Sequence, residues 1–200
     1  EELKSKITTV ASKGGSTKFS ISADLGLTWQ TTARGKALDK EVSSHFDALN
    51  TSKIIDCLLV DCPYELYWYE KTASTTWEYG YTTTTTGNKT TVRIKNISVN
   101  MPVCNSYASG RYKVNAKIVQ LAKRAAANAR MIVQKFSSYT ETEKLIGYKE
   151  IICYLTSYND EAVEWEEYGD PWQLIYVFDG DDSTNVVCEG YSKAFQYLCD

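Results

Sequence analysis

The sequence predicts an α+β protein, and three observations carry that prediction. Period-two alternation over residues 18–25, and again in the two runs flanking Gly87-Asn88, marks strands. Apolar residues recur at helical spacing over 118–136, 145–155 and 187–198. Thr140-Glu141-Thr142-Glu143 reads as a capping box, in which the Thr140 hydroxyl and the Glu143 carboxylate satisfy amides that the first helical turn leaves open.

Taken in order, residues 18–25 form a half-buried strand with Phe19, Ile21 and Ala23 inward. Leu38, Val42, Phe46 and Leu49, with Leu58 and Leu59 beyond them, mark one or two helices between residues 37 and 60. Pro63 ends that region, and Glu65-Leu66-Tyr67-Trp68-Tyr69 reads as a strand. Residues 77–86 and 89–99 flank Gly87-Asn88, a two-residue pair suited to a primed hairpin turn. With Thr86 opposite Lys89, Thr83 falls opposite Val92 and Tyr81 opposite Ile94. The inward parity then changes, because Val92 and Ile94 are even and Ile97 and Val99 odd. One extra residue near Lys95-Asn96 restores the register and puts Val99 opposite Trp77, the signature of a β-bulge. The threonine-rich tip has no apolar face and is read as a solvated hairpin end.

Ile118, Leu121, Ala122, Ala125, Ala129, Ile132 and Phe136 trace a helix of about 20 residues with a small-residue face. From the capped helix after it, Leu145, Ile152 and Leu155 face inward. The acidic run 160–167 is a solvated linker without the ligand spacing of a hard metal site. The chain divides into a mixed region, 1–110, containing hairpin 77–99, and a helical region, 111–200.

At a net charge of −3 the chain shows no polybasic signature for nucleic acid, and no apolar run approaches the ~20 residues of a membrane span. The six cysteines stand at 57, 62, 104, 153, 188 and 199, without the clustering of a zinc site, and no metal or cofactor is expected. Cys57, Cys153 and Cys199 lie among apolar neighbours and read as buried thiols. Cys62 and Cys104 flank prolines in loops and are the better disulfide candidates.

Cys188 is the candidate catalytic residue. The loop Phe178-Asp179-Gly180-Asp181-Asp182-Ser183-Thr184-Asn185 supplies turn and cap residues, and Cys188 follows it at the first turn of a helix. Helix N-terminal amides favour negative charge, and thiols in such settings ionise more readily. Val187, Tyr191, Ala194, Phe195 and Leu198 give that helix its core face.

The string from Cys188 to Leu198, CEGYSKAFQYL, resembles the nucleophile helix of bacterial transglutaminase-like proteins, which have the papain-like cysteine protease fold. Upstream, EKLIGYKEIICYLTSY (143–158) is similar to the helix that opens that core, and 170–187 to the segment that delivers the chain to the nucleophile. Ser192 stands where the family usually has alanine, and Asn185-Val186 where a glycine often precedes the cysteine. The resemblance implies acyl transfer on protein or peptide amides through a Cys188 thioacyl intermediate, giving cross-linking, deamidation or proteolysis. The Cys188 N–H would be an oxyanion donor, with Gln173 a candidate second donor.

Family members also use a histidine and an aspartate downstream of the cysteine. No residue here matches them: the one histidine, His45, lies far upstream beside an apolar stripe and reads as structural. The expectation is therefore the N-terminal portion of a longer extracellular or cell-surface enzyme, ending before the catalytic His/Asp sheet and inactive by itself. The alternative is a non-catalytic surface, adhesion or interaction module that keeps the fold. Without the following sheet, the apolar face of the last helix is expected to need cover, either from the hairpin and the helix from 116 or from a second copy in a homo-oligomer.

Overall fold

The computed structural model describes residues 1–164 and 173–200; residues 165–167 of the predicted acidic linker and 170–172 of the segment leading toward Cys188 lie outside them. The chain opens with α1 (Glu2–Lys13), a helix absent from the sequence expectations, which buries Ile7 and Val10 one turn apart. It stops at Gly14, φ 74, where a Cβ would lie only 3.0 Å from the Ala116 Cα.

β1 (Gly15–Ser16), β2 (Lys18–Ile21) and β3 (Thr28–Thr31) follow. The strand predicted over 18–25 is thus cut short: Phe19 is buried and Ile21 half-buried, but Ala23 is exposed. Beyond Ile21 the backbone is held by Glu2 instead: its carboxylate accepts hydrogen bonds from the Ser22 amide at 3.0 Å, the Ser22 hydroxyl at 2.9 Å and the Ala23 amide at 3.0 Å.

The predicted helical region holds two helices, α2 (Lys36–Asp47) and α3 (Thr51–Asp61). Asn50, at φ 47, separates them, and its side chain caps α3 by accepting from the Lys53 amide. Residues 65–69 do not form the predicted strand. They run as successive turns held by Leu66 N–H to the Cys62 carbonyl (3.1 Å) and Tyr69 N–H to the Leu66 carbonyl (2.9 Å), with one bridge from Tyr69 to Val103. A strand would alternate in burial. Here Leu66, Tyr67, Trp68 and Tyr69 are all enclosed.

β4 (Thr76–Thr86) and β5 (Lys89–Asn100) form the predicted hairpin in the predicted register, with Thr86 facing Lys89, Thr83 Val92, Tyr81 Ile94 and Trp77 Val99. The register shifts between Glu78 and Gly80 while Asn96 takes φ 55, so the bulge falls where the change of parity puts it. Gly87 alone of the turn pair has positive φ, 62°, the type II′ arrangement. β5 is the centre of the sheet. β4 lies along one edge, and the other is shared by β2, pairing 97–100, and β3, pairing 90–93, all antiparallel. α2 packs on this sheet through Leu38, Val42 and Phe46 against Val92, Ile94 and Ile97.

After a 3₁₀ turn at Asn105–Tyr107, β6 (Ala108–Gly110) and β7 (Lys113–Val114) join β1 in a small antiparallel sheet. α4 (Ala116–Lys135) is the predicted 20-residue helix and buries Val119, Ala125 and Ala129. α5 (Glu141–Leu155) carries both bonds of the capping box. Of its residues predicted inward, Ile152 is buried and Leu155 half-buried, but Leu145 is exposed, and Gly147 and Tyr148 face the core instead. The Phe136 ring lies where a Cβ on Gly147 would go, so the bare glycine sets which face of α5 can approach α4.

α6 (Ile175–Phe178) and α7 (Cys188–Cys199) complete the chain, and α7 packs on α4, α5 and α6. Its apolar face is covered, as expected: Ala194 and Leu198 are buried, Tyr191 and Phe195 half-buried, and the predicted helix from 116, α4, packs on it together with α5 and α6. One core cluster draws together Ile7, Trp68, Val99, Val119, Ile152 and Leu198, joining residues from 1–110 and 111–200.

The six cysteines form no disulfide. Cys62 and Cys104, expected in loops, are buried; Cys57, Cys153 and Cys199, expected inside, are exposed. The helix period explains the inversion: the buried positions are the adjacent Leu58, Ile152 and Leu198, which turns each neighbouring cysteine outward.

Candidate functional site

Local hydrogen bonds shape the loop that leads to α7. At Gly180, φ is 78; the Asp179 carboxylate accepts from the Asp181 amide at 2.9 Å, and that of Asp181 from the Ser183 hydroxyl at 2.6 Å and amide at 3.0 Å. The Ser183 hydroxyl and amide hold the Asp181 carboxyl below the usual carboxylate range, while burial pushes that of Asp179 up.

The chain is then pinned to the residues after α5. Val186 N–H donates to the Ser157 carbonyl at 3.2 Å, Asn159 N–H to the Val186 carbonyl at 3.1 Å, and Tyr158 and Val186 form a parallel bridge. The Thr156 hydroxyl donates to the Thr184 carbonyl at 3.2 Å, and Ser157 N–H to the Asn185 Oδ1 at 3.3 Å. Tyr191 closes the brace from α7. Its hydroxyl donates to the Thr156 carbonyl at 3.0 Å, and its ring stacks on Tyr158 with centroids 6.2 Å apart.

Cys188 emerges from this brace as the first residue of α7, and it is exposed. The residue before it, Val187, is buried and extended (φ −89, ψ 178) and offers no side-chain cap to the helix amides. An uncapped first turn leaves N–H groups directed at whatever lies ahead of it, a setting that favours an anion. The Ser192 hydroxyl donates to the Cys188 carbonyl at 2.9 Å, so the serine one turn on bonds back onto the cysteine.

An ion cluster forms around Glu189, the residue after Cys188. Glu189 sits 2.5 Å from the Lys71 Nζ and 2.8 Å from the Lys193 Nζ, and Lys193 also donates to the Gln173 Oε1 at 3.3 Å. Burial pulls the Lys193 ammonium below the usual lysine range, against the opposing pull of Glu189. Gln173 is 1% exposed, and its Nε2 donates to no described group. The structure therefore ties Gln173 to α7 through Lys193. Glu189 and Lys193 were recoverable from their i,i+4 spacing. Lys71 was not, because 118 positions separate it from Glu189.

His45 is not brought to this site. It is exposed on α2, and its ring stacks on Trp29 at a centroid distance of 3.9 Å, beside the cluster that packs α2 on the sheet. Among the described residues no group of three or more His, Cys, Asp or Glu is placed to hold a metal, and no helix is long and apolar enough to cross a membrane. No family model, curated protein or solved structure matches the chain.

Proposed function

We propose that Cys188 is the nucleophile of a transglutaminase-like acyl transfer on protein or peptide amides. One observation carries this reading: the chain exposes a thiol at the uncapped first position of α7 and braces the approach to it with Thr156, Ser157, Asn159 and Tyr191. In the proposed reaction the thiolate attacks the amide carbonyl, and the oxyanion that forms lies at the helix start, where backbone N–H groups support it. Collapse breaks the C–N bond, the departing amine takes a proton, and a thioester remains on Cys188. A second amine or water then attacks the thioester and returns the thiol. His45, stacked on Trp29, is not the acid that protonates the amine. The reading requires another acid for that role.

The test uses an activated ester, whose leaving group needs no proton. Brief treatment of the native chain with p-nitrophenyl acetate, mapped by mass spectrometry, should acetylate Cys188 several-fold ahead of the other exposed thiols, Cys57, Cys153 and Cys199. Equal labelling of all of them would remove the nucleophile and leave a non-catalytic surface or interaction module. Unactivated peptide amides should not turn over. Turnover abolished by Cys188→Ala would place the base within the chain, with His45→Ala the next variant to make.

A further inference from the structure

The outer edge of β4 is a strand-pairing surface, and we propose that it is filled by β4 of a second copy of this chain. β4 pairs with β5 along one edge and, among the described residues, with nothing along the other. Natural sheets guard such edges with lysine, proline, bulges or short length. β4 uses none of these: it runs 11 residues, contains no Lys or Pro, and has one charge, Glu78, while the positive-φ residue of the bulge, Asn96, belongs to β5. Thr82 to Thr86 are all exposed and have high strand propensity.

The backbone and the charges both select a two-fold arrangement. In a two-residue hairpin the closing pair, Thr86 and Lys89, exchanges hydrogen bonds, so Thr82 and Thr84 also face β5. Tyr81, Thr83 and Thr85 then turn their N–H and C=O groups to the open edge. An axis through Thr82 sets Tyr81 against the partner's Thr83 and Tyr79 against the partner's Thr85, aromatic against β-branched on one face. On the opposite face Glu78 meets the partner's Thr86. Lys89 lies directly across from Thr86 in the hairpin. The partner's Lys89 is therefore one strand beyond Glu78, about 10 Å away at the backbone, where its ammonium can join a carboxylate of which one oxygen already accepts from the Asn100 side chain at 2.9 Å. A register that set Glu78 against Glu78 would oppose like charges. The two-fold pairing is closed: it merges two sheets into one and leaves neither β4 edge open.

Size-exclusion chromatography with light scattering, run on the 200-residue chain over a concentration series reaching the millimolar range, tests this. The wild type should shift from monomer to dimer mass as concentration rises, and the amides of Tyr81, Thr83 and Thr85 should exchange more slowly in the dimer. Thr83→Pro removes one outward N–H without touching the β5 ladder, and Thr85→Lys puts a charge on the edge. Both should stay monomeric with unchanged circular dichroism; if the proline variant unfolds, Thr85→Lys and amide exchange decide. A wild type that is monomeric throughout overturns the proposal, as does a dimer that survives Thr85→Lys. Protection of those amides only on addition of an extended threonine-rich peptide would assign the edge to a foreign strand and overturn the second copy.

Discussion

The Tyr191 hydroxyl donates to the Thr156 carbonyl at 3.0 Å, and this bond joins the end of α5 to the first turn of α7. Thr156 is buried, so water has poor access to a carbonyl deprived of its donor. Tyr191→Phe should lower stability by about 1–3 kcal/mol, seen as a lower urea midpoint at unchanged slope. It should also shrink the acylation preference of Cys188, because the brace that sets the helix start is loosened. An unchanged midpoint would mean that the stacking of Tyr158 on Tyr191 holds the two segments by itself.

Alkylation of the native chain with iodoacetamide should label Cys57, Cys153, Cys188 and Cys199 and spare Cys62 and Cys104 until denaturant is added. Burial pushes the Cys62 thiol up, and burial together with the nearby Asp200 carboxylate pushes the Cys199 thiol up, so Cys199 should label last of the exposed group near neutral pH. Peptide mapping against time gives the order. Early native labelling of Cys62 would contradict the packing around Leu66 and Trp68.

Glu2 sets an acid dependence. The Lys6 ammonium, then the Ser22 amide and hydroxyl and the Ala23 amide, hold its carboxyl down at about 2 from an ordinary 4.5. A depressed carboxyl adds stability that is present above 4.5 and is lost as pH falls toward 2. The wild type should therefore exceed Glu2→Gln in stability at neutral pH, with the gap closing as acid protonates Glu2. A carboxyl resonance titrating at the ordinary midpoint would contradict this tie between α1 and the end of β2.

Gly147→Ala should destabilise, although alanine is the better helix former. The propensity gain is at most about 1 kcal/mol. The added methyl meets the Phe136 ring, itself packed against Tyr139 and Tyr148, and overpacking of this kind costs about 1–3 kcal/mol. A raised melting temperature would show that the ring can move aside.

Asn96, at φ 55, should tolerate glycine and resist valine. A β-branched residue in the left-handed region costs about 1–2 kcal/mol, so Asn96→Val should lower the denaturation midpoint while Asn96→Gly leaves it nearly unchanged. Equal effects would argue that the bulge relocates.

What could be read from the chain was short in range. The hairpin register follows from a two-residue turn and the parity of Val92, Ile94, Ile97 and Val99, and the bulge from the point where that parity changes. The α5 cap follows from residues three apart. The position of Cys188 at the first turn of α7 follows from the turn-forming loop directly before it. Each depends on neighbours within a few residues, where backbone sterics and local hydrogen bonds decide the outcome.

Tertiary packing decided the remainder. Residues 66–69 have the composition of a strand, yet enclosure on every side leaves no solvent face, and they turn. Leu145 has a helical apolar position, yet Phe136 selects the face of α5 that carries Gly147. The exposure of Cys57, Cys153 and Cys199 depends on which neighbouring leucine or isoleucine faces the core, a choice made by helix docking. The Lys71–Glu189–Lys193 cluster and the Glu2 tie to Ser22 join residues distant in sequence through side-chain contact. Local signals placed the hairpin turn, the α5 cap and the start of α7, while burial, set by segments far away along the chain, determined which side of each element faced inward and what reached the start of α7.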